Sequence, residues 1–258
     1  MPTIKIDQDE IYYYHHPDQV NMSLLMIHGA GGDHTLFPIA SLTQGINIYA
    51  LDLPGHGRSK GSNRPTIEGY ADFIEDFVKR LGLQKVTVCG HSMGGAIAMT
   101  LALRKLPWID KLILVGTGAR LKVNPLIFQL IKDAFENAIQ TTAQFLYGPK
   151  ASPEMIQIGQ QSMRKISPQV LMDDFRACDH FNVMEKVREI NTPTLVIVGD
   201  SDQMTPPKYS QYLAQNIPNA QMLVIEEAGH MVALERPEEF TGALEKFLFC
   251  RDVPHLEH

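Results

Sequence analysis

Short, almost wholly apolar runs alternate along this chain with longer segments whose apolar residues return every three or four positions. Residues 4–6, 11–15, 22–27, 46–51, 86–89, 111–115, 194–198 and 221–225 read as strands. Between them, 66–81 carries Ile67, Tyr70, Phe73, Ile74, Phe77, Val78 and Leu81 at helical spacing, and Gly82 closes it. Stretches 96–106, 206–217 and 237–249 read as helices too. Strands alternating with helices predict a mostly parallel sheet covered on both faces.

One segment breaks that alternation. From 118 to 189 the pattern predicts helices only, at 125–138, 141–146, 153–166, 168–178 and 183–188, punctuated by Pro and Gly. Some 70 residues of helix between two strands predict a cap, or lid, over the carboxyl edge of the sheet, where ligands bind in open α/β folds. The expected division is a core of 1–117 and 190–255 with a cap of 118–189.

The first chemical signal stands where one strand meets its helix. Gly90-His91-Ser92-Met93-Gly94-Gly95 follows the run Val86-Thr87-Val88-Cys89. Gly-x-Ser-x-Gly between strand and helix is the pattern of a nucleophile elbow, in which a tight turn exposes the serine hydroxyl. The turn needs tiny residues two before and two after the serine, and Gly90 and Gly94 supply them. The helix start beneath offers unpaired N–H groups where an oxyanion would form.

A serine hydroxyl needs a base, and the base needs an acid, in chain order Ser, Asp or Glu, His. The strand 194–198 runs into Gly199-Asp200-Ser201-Asp202. Either aspartate can serve; Asp202 is preferred because Gly-x-x-Asp carries the side chain past the strand end, whereas Asp200 suits a turn. Asp179 is a distant third. After the last strand comes Glu226-Glu227-Ala228-Gly229-His230, which places His230 as the base. His91 sits beside the serine and is expected to brace the loop. Two oxyanion donors are expected: the Met93 amide, and the Ala30 amide in His28-Gly29-Ala30-Gly31-Gly32, with Gly31 as the alternative.

Composition narrows the partners. The 258 residues carry a net charge of −6, so no basic surface points to nucleic acid. No apolar run reaches the roughly 20 residues of a membrane span, and the N-terminus lacks a signal-peptide pattern. Cys89, Cys178 and Cys250 have no metal-ligand spacing, and their odd, sparse number fits a reducing cytoplasm. Leu256-Glu257-His258 reads as the stub of a polyhistidine tag and carries no functional weight.

Together these segments, with Asp52-Leu53-Pro54-Gly55-His56-Gly57-Arg58-Ser59, resemble the α/β-hydrolase superfamily over nearly the whole chain. The resemblance implies an eight-stranded, mostly parallel sheet with a helical cap after the sixth strand, and a triad of Ser92, Asp202 and His230. It implies no metal or organic cofactor. The serine nucleophile departs from haloalkane dehalogenases and epoxide hydrolases, which use aspartate. Those families and the cofactor-free haloperoxidases usually carry proline where Gly31 stands. The elbow is most similar to those of esterases and monoacylglycerol-lipase-like enzymes.

The expected activity is therefore hydrolysis of a small-molecule carboxylic ester through an acyl-enzyme. A lactonase or a carbon–carbon bond hydrolase with the same triad is the alternative. Such substrates carry carboxylates and want an inward-facing arginine, for which the cap offers Arg120, Arg164, Arg176 and Arg188. A non-catalytic ligand-binding member of the fold is a further alternative, against which the intact triad argues. Oligomeric state is left open.

Overall fold

In the computed structural model, which describes residues 2–42 and 45–249, the apolar runs form one eight-stranded sheet. The strands are β1 (Thr3–Ile6), β2 (Asp9–His16), β3 (Met22–Ile27), β4 (Asn47–Leu51), β5 (Lys85–His91), β6 (Ile109–Val115), β7 (Thr194–Gly199) and β8 (Ala220–Ile225). Their spatial order is β1-β2-β4-β3-β5-β6-β7-β8. The pairs β1–β2 and β2–β4 are antiparallel; every pair from β4 onward in that order is parallel. Parallel strands end at the same edge, so the loops after β3, β5, β7 and β8 open on one side of the sheet. That edge gathers the Gly29–Gly32 loop, Ser92, Asp202 and His230.

Helices α1 (Ile67–Leu81) and α2 (Met93–Leu103) cover one face, while α7 (Pro207–Asn216), α8 (Val232–Glu235) and α9 (Pro237–Phe249) follow β7 and β8. Between β6 and β7 lie α3 (Pro125–Asp133), α4 (Phe135–Leu146), α5 (Pro153–Met163) and α6 (Pro168–His180). Alternation along β3 shows how the sheet is buried twice: Leu25 and Ile27 join Tyr70, Phe77 and Met99 in one core, and Leu24 and Met26 join Phe240 and Leu244 in the other. Helix α1 starts where the Thr66 hydroxyl accepts the Gly69 amide at 3.0 Å and ends at Gly82, whose φ of 66° is the left-handed stop. The insertion packs on a cluster of its own around Ile131, Ile139, Met163, Leu171 and Phe175.

Two expected helices come out differently. The expected helix over 125–138 breaks at Ala134 (φ −155°, ψ 66°), with neither Pro nor Gly at the break. The bend returns Ala138 and Ile139 against Ile131, so tertiary packing overrides local propensity. The stretch 183–188 holds no α-helix; a single 3₁₀ turn, Val187–Glu189, stands there. Cys89 and Cys178 are buried free thiols; Cys250 and 256–258 lie outside the described residues. Among the described residues no helix is long and apolar enough to cross a membrane.

Candidate active site

The turn after β5 is set by backbone crowding. A Cβ on Gly90 would lie 2.1 Å from the Gly94 carbonyl oxygen, and one on Gly94 would lie 2.1 Å from the Ile27 carbonyl oxygen. Only glycine fits at either position. Ser92 pays for the sharp turn in backbone strain, with φ 53° and ψ −114°, of a kind that costs about 1–3 kcal/mol. Its amide donates to Val115 O at 2.9 Å, and its carbonyl accepts the Thr117 hydroxyl at 2.8 Å. These bonds hold the strained residue between the end of β6 and the start of α2.

Asp202 and His230 meet across the ends of β7 and β8. His230 Nδ1 donates to Asp202 Oδ2 at 2.9 Å, and both residues are 3% exposed. Asp202 Oδ1 accepts the Met204 and Thr205 amides at 2.9 and 2.8 Å. Burial alone would raise the Asp202 carboxyl, but the His230 ring and the Thr205 donors outweigh it and hold the group below the usual carboxylate range. Asp200 is an exposed turn residue that bonds the Ser201 hydroxyl and nearby amides. Asp179 accepts from Lys122 and the Val123 amide. Of the three candidate acids, Asp202 is the one paired with His230.

His91 donates Nε2–H to the His230 carbonyl at 2.9 Å, with the two rings 4.6 Å apart. Burial, and after it the His230 ring, pushes His91 down to about 3, so the ring stays neutral. It braces the His230 loop, rather than the elbow loop in which the sequence places it. The Gly29–Gly32 loop is pinned from within by His28. His28 Nδ1 donates to Gly29 O at 2.8 Å, and Nε2 accepts the Leu53 amide at 3.0 Å. Both nitrogens are committed, one as donor and one as acceptor, which fixes a neutral ring; burial, then His56, lowers His28 to about 4.

The two oxyanion candidates in this loop differ in occupancy. The Gly31 amide already donates to Asp174 Oδ2 at 2.9 Å. The Ala30 amide has no acceptor among the described residues, and Met93 is the first residue of α2, where an amide has no partner within the helix. A Cβ on Gly29 would stand 3.0 Å from Ser92 Cβ, so the loop lies directly against the serine.

A cavity of about 520 Å³ opens on this edge. It is lined by Ala30, His91, Ser92 and His230 from the core and by Leu146, Met155, Ile158, Met163 and Phe175 from the insertion. Asp33 and Glu154 are its acidic members. The four arginines of the insertion stand elsewhere: Arg164 pairs with Glu136, Arg176 with Asp173 and Arg188 with Glu185, while Arg120 lines a separate depression with Lys122 and Lys208.

Sequence reading missed Thr205, Glu235 and Asp174. The Thr205 hydroxyl lies 2.9 Å from Asp202 Oδ2 and 3.2 Å from His230 Nδ1. Its spacing, three residues after the acid in a turn, was the available signal. Glu235 accepts the Gly229 amide at 3.0 Å and the Gly148 amide at 2.7 Å, which ties the histidine loop to the insertion. No local pattern marks a glutamate on a four-residue helix for that work. Asp33, His34 and Asp52 have ligand atoms within 4.8 Å of one another; Asp33 Oδ1 already accepts from Thr35, and the two Asp52 oxygens from His34 and the Arg58 amide.

The chain matches the alpha/beta hydrolase family across residues 24–243. Lipase 3 of Moraxella sp. (strain TA144) is 28% identical over 266 residues, spanning 93% of this chain and 81% of that protein. A thermophilic esterase of known structure superposes with a TM-score of 0.84 at 35% identity, over 96% of both chains. The enol-lactonase from Burkholderia xenovorans LB400 superposes with a TM-score of 0.89 over 96% of this chain and 99% of that one; at 22% identity it shares the fold alone.

Proposed function

The chain belongs to the alpha/beta hydrolase family, and from that premise we infer that it is a serine hydrolase of neutral carboxylic esters. In this reading Ser92 is the nucleophile, His230 the base and Asp202 the acid. With Nδ1 tied to Asp202, the nitrogen of His230 left for proton transfer is Nε2. It takes the Ser92 proton as the hydroxyl attacks the ester carbonyl, passes that proton to the departing alcohol as the C–O bond breaks, and then, neutral again, activates the water that cleaves the acyl-enzyme. Asp202 holds the tautomer and stabilises the charged ring. The Ala30 and Met93 amides receive the oxyanion; each such donor is typically worth about 10²–10³ in turnover. Residues 118–189 act as the cap that walls the acyl pocket.

The observation that carries the ester reading is the cavity lining. Its carboxylates are Asp33 and Glu154, no lysine or arginine lines it among the described residues, and its cap side is Leu146, Met155, Ile158, Met163 and Phe175. A substrate bearing a carboxylate would meet two acids and gain no cationic partner there, which opposes binding. A neutral acyl chain buries apolar surface instead.

The test is hydrolysis of p-nitrophenyl esters from two to sixteen carbons, beside acyl groups ending in a carboxylate, with Ser92→Ala as the control. Neutral esters are expected to turn over, the carboxylate-ended ones at least roughly tenfold worse, and Ser92→Ala to lose about 10⁴ or more. Folded protein that labels with a fluorophosphonate yet turns over no ester would move the reading to lactone or carbon–carbon bond cleavage. Absence of labelling would leave the non-catalytic reading standing.

A further inference from the structure

One carboxylate of the insertion lies wholly inside the molecule. Asp174, on α6, is fully buried, and its two oxygens accept three hydrogen bonds from the core. Oδ2 takes the Gly31 amide at 2.9 Å and His56 Nε2 at 2.7 Å; Oδ1 takes the Tyr70 hydroxyl at 2.8 Å. His56 is 1% exposed, and its other nitrogen, Nδ1, faces the Pro54 carbonyl at 3.0 Å. A carbonyl and a carboxylate both accept only, so both ring nitrogens carry protons and His56 is an imidazolium. Burial alone would lower its pKa, but Asp174 first, then the Pro54 carbonyl, reverse this and raise it. The pair is a buried, fully bonded ion pair between insertion and core.

A surface pair would carry little meaning. This one is buried, and breaking it would leave a charge without a partner, a costly change. Its third contact gives it a role beyond adhesion. Gly31 follows Ala30 in the loop that faces Ser92, and it adopts a φ of 65°. A Cβ there would lie 2.8 Å from Leu171 Cδ1, also on α6. Helix α6 therefore presses on the loop at the residue whose amide it holds, and that grip occupies the Gly31 donor while Ala30 N–H stays unpaired.

We propose that Asp174 is a positioning residue through which docking of the insertion sets the shape of the oxyanion loop. The proposal rests on the serine hydrolase reading for its effect on rate, while the contact itself does not. With α6 docked, the Asp174 carboxylate holds the Gly31 peptide and so aims the preceding Ala30 amide at the place where the oxyanion forms. With α6 displaced, the loop loses that hold, and turnover falls even though Ser92, Asp202 and His230 are untouched. The insertion is thus part of the catalytic geometry as well as a wall of the pocket.

The experiment compares wild type, Asp174→Asn, Tyr70→Phe and Asp173→Asn. The asparagine keeps the size of the side chain but sets an amide NH₂ against donors that need an acceptor. Tyr70→Phe keeps the carboxylate and removes the hydroxyl that steers it. Asp173 is the neighbouring aspartate, half-buried, bonded to Gln169 and Arg176 on α6 and to the Asn63 side-chain amide of the core but not to the Gly29–Gly32 loop. Two quantities are read: amide exchange at Gly31 by NMR, and kcat and KM for a short p-nitrophenyl ester. In Asp174→Asn, Gly31 exchange is expected to quicken about tenfold or more. Its kcat is expected to fall roughly 10- to 100-fold, with KM within about threefold, because a misaimed donor weakens the transition state more than the ground state. Tyr70→Phe follows in the same direction by less, and Asp173→Asn matches wild type.

A kcat within about threefold of wild type in Asp174→Asn, or unchanged Gly31 exchange, overturns the proposal. If Asp174→Asn does not fold, Tyr70→Phe decides: unchanged exchange and kcat there overturn it equally. A wild type that neither turns over esters nor labels with a fluorophosphonate removes the serine hydrolase reading. Gly31 exchange in the variants then still decides whether Asp174 holds the loop.

Discussion

Lowering the pH from 6.5 to 5 is expected to remove about 3 kcal/mol from the stability of this fold, through two histidines that frame the serine. His28 cannot accept a second proton without losing the Leu53 amide from Nε2, and His91 has a buried Nδ1 with no partner. Burial is the leading cause for both, and it places them at about 4 and about 3. In the unfolded chain each titrates near 6.5, so below that pH the unfolded state binds the extra protons and stability falls. The loss runs at up to about 1.4 kcal/mol per pH unit per group, and continues until the folded values are reached. From half-protonated at 6.5, each histidine loses between about 1 and 2 kcal/mol by pH 5.

One neighbouring group opposes the effect: burial raises the Glu235 carboxyl, so as pH falls it takes up its proton earlier in the folded state than in the unfolded one; the others do not mask it. His56 is shifted the other way, so its contribution is already complete below 6.5 and is lost only as pH rises through its folded value. Asp202 and Asp52 are lowered carboxylates, whose contributions fade only below the ordinary carboxylate range. His15, lowered by burial and by His16, adds in the same direction as the two. The assay is urea unfolding at a series of pH values for wild type, His28→Gln and His91→Gln. Each substitution is expected to remove about half of the slope, whatever it does to stability at pH 7. A wild type whose unfolding free energy is flat to within about 1 kcal/mol from pH 6.5 to 5 would refute the reasoning, as would a slope that survives both substitutions.

Two further outcomes are expected at the site. Thr205→Val deletes the hydroxyl shared by Asp202 and His230; the loss of about 1 kcal/mol of hydrogen bonding should lower kcat/KM roughly 3- to 10-fold, and unchanged kinetics would remove Thr205 from the site. Gly94→Ala forces a Cβ to 2.1 Å from the Ile27 carbonyl oxygen; turnover and fluorophosphonate labelling should both fall by at least about 10², and wild-type rates would contradict the elbow geometry.

The parts of the molecule legible in the sequence are those governed by neighbours along the chain. Period-two and period-3.6 patterns marked the eight strands and most helices because burial of alternate or spaced residues needs no distant information. The elbow was legible for the same reason: the crowding that demands glycine at 90 arises from residue 94, four positions on. The candidate acid was legible as a choice of positions, Asp200 or Asp202, and of the two Asp202 is the one that meets His230. The break at Ala134 was not legible, since the residues that favour it sit across the insertion's own cluster.

By itself, then, the sequence determined the order of elements, the turn that exposes Ser92 and the loops that carry its partners. Tertiary structure decided what those loops touch. Gly31 and Asp174 are 143 positions apart, and His56 and Asp174 are 118 apart. Whether the Ala30 or the Gly31 amide is left unpaired follows from how α6 seats on the sheet edge. The physical reason is the range of the forces. Propensity and steric crowding act within a few residues of one another and leave a pattern in the chain, whereas a buried hydrogen bond joins whatever residues packing brings within about 3 Å.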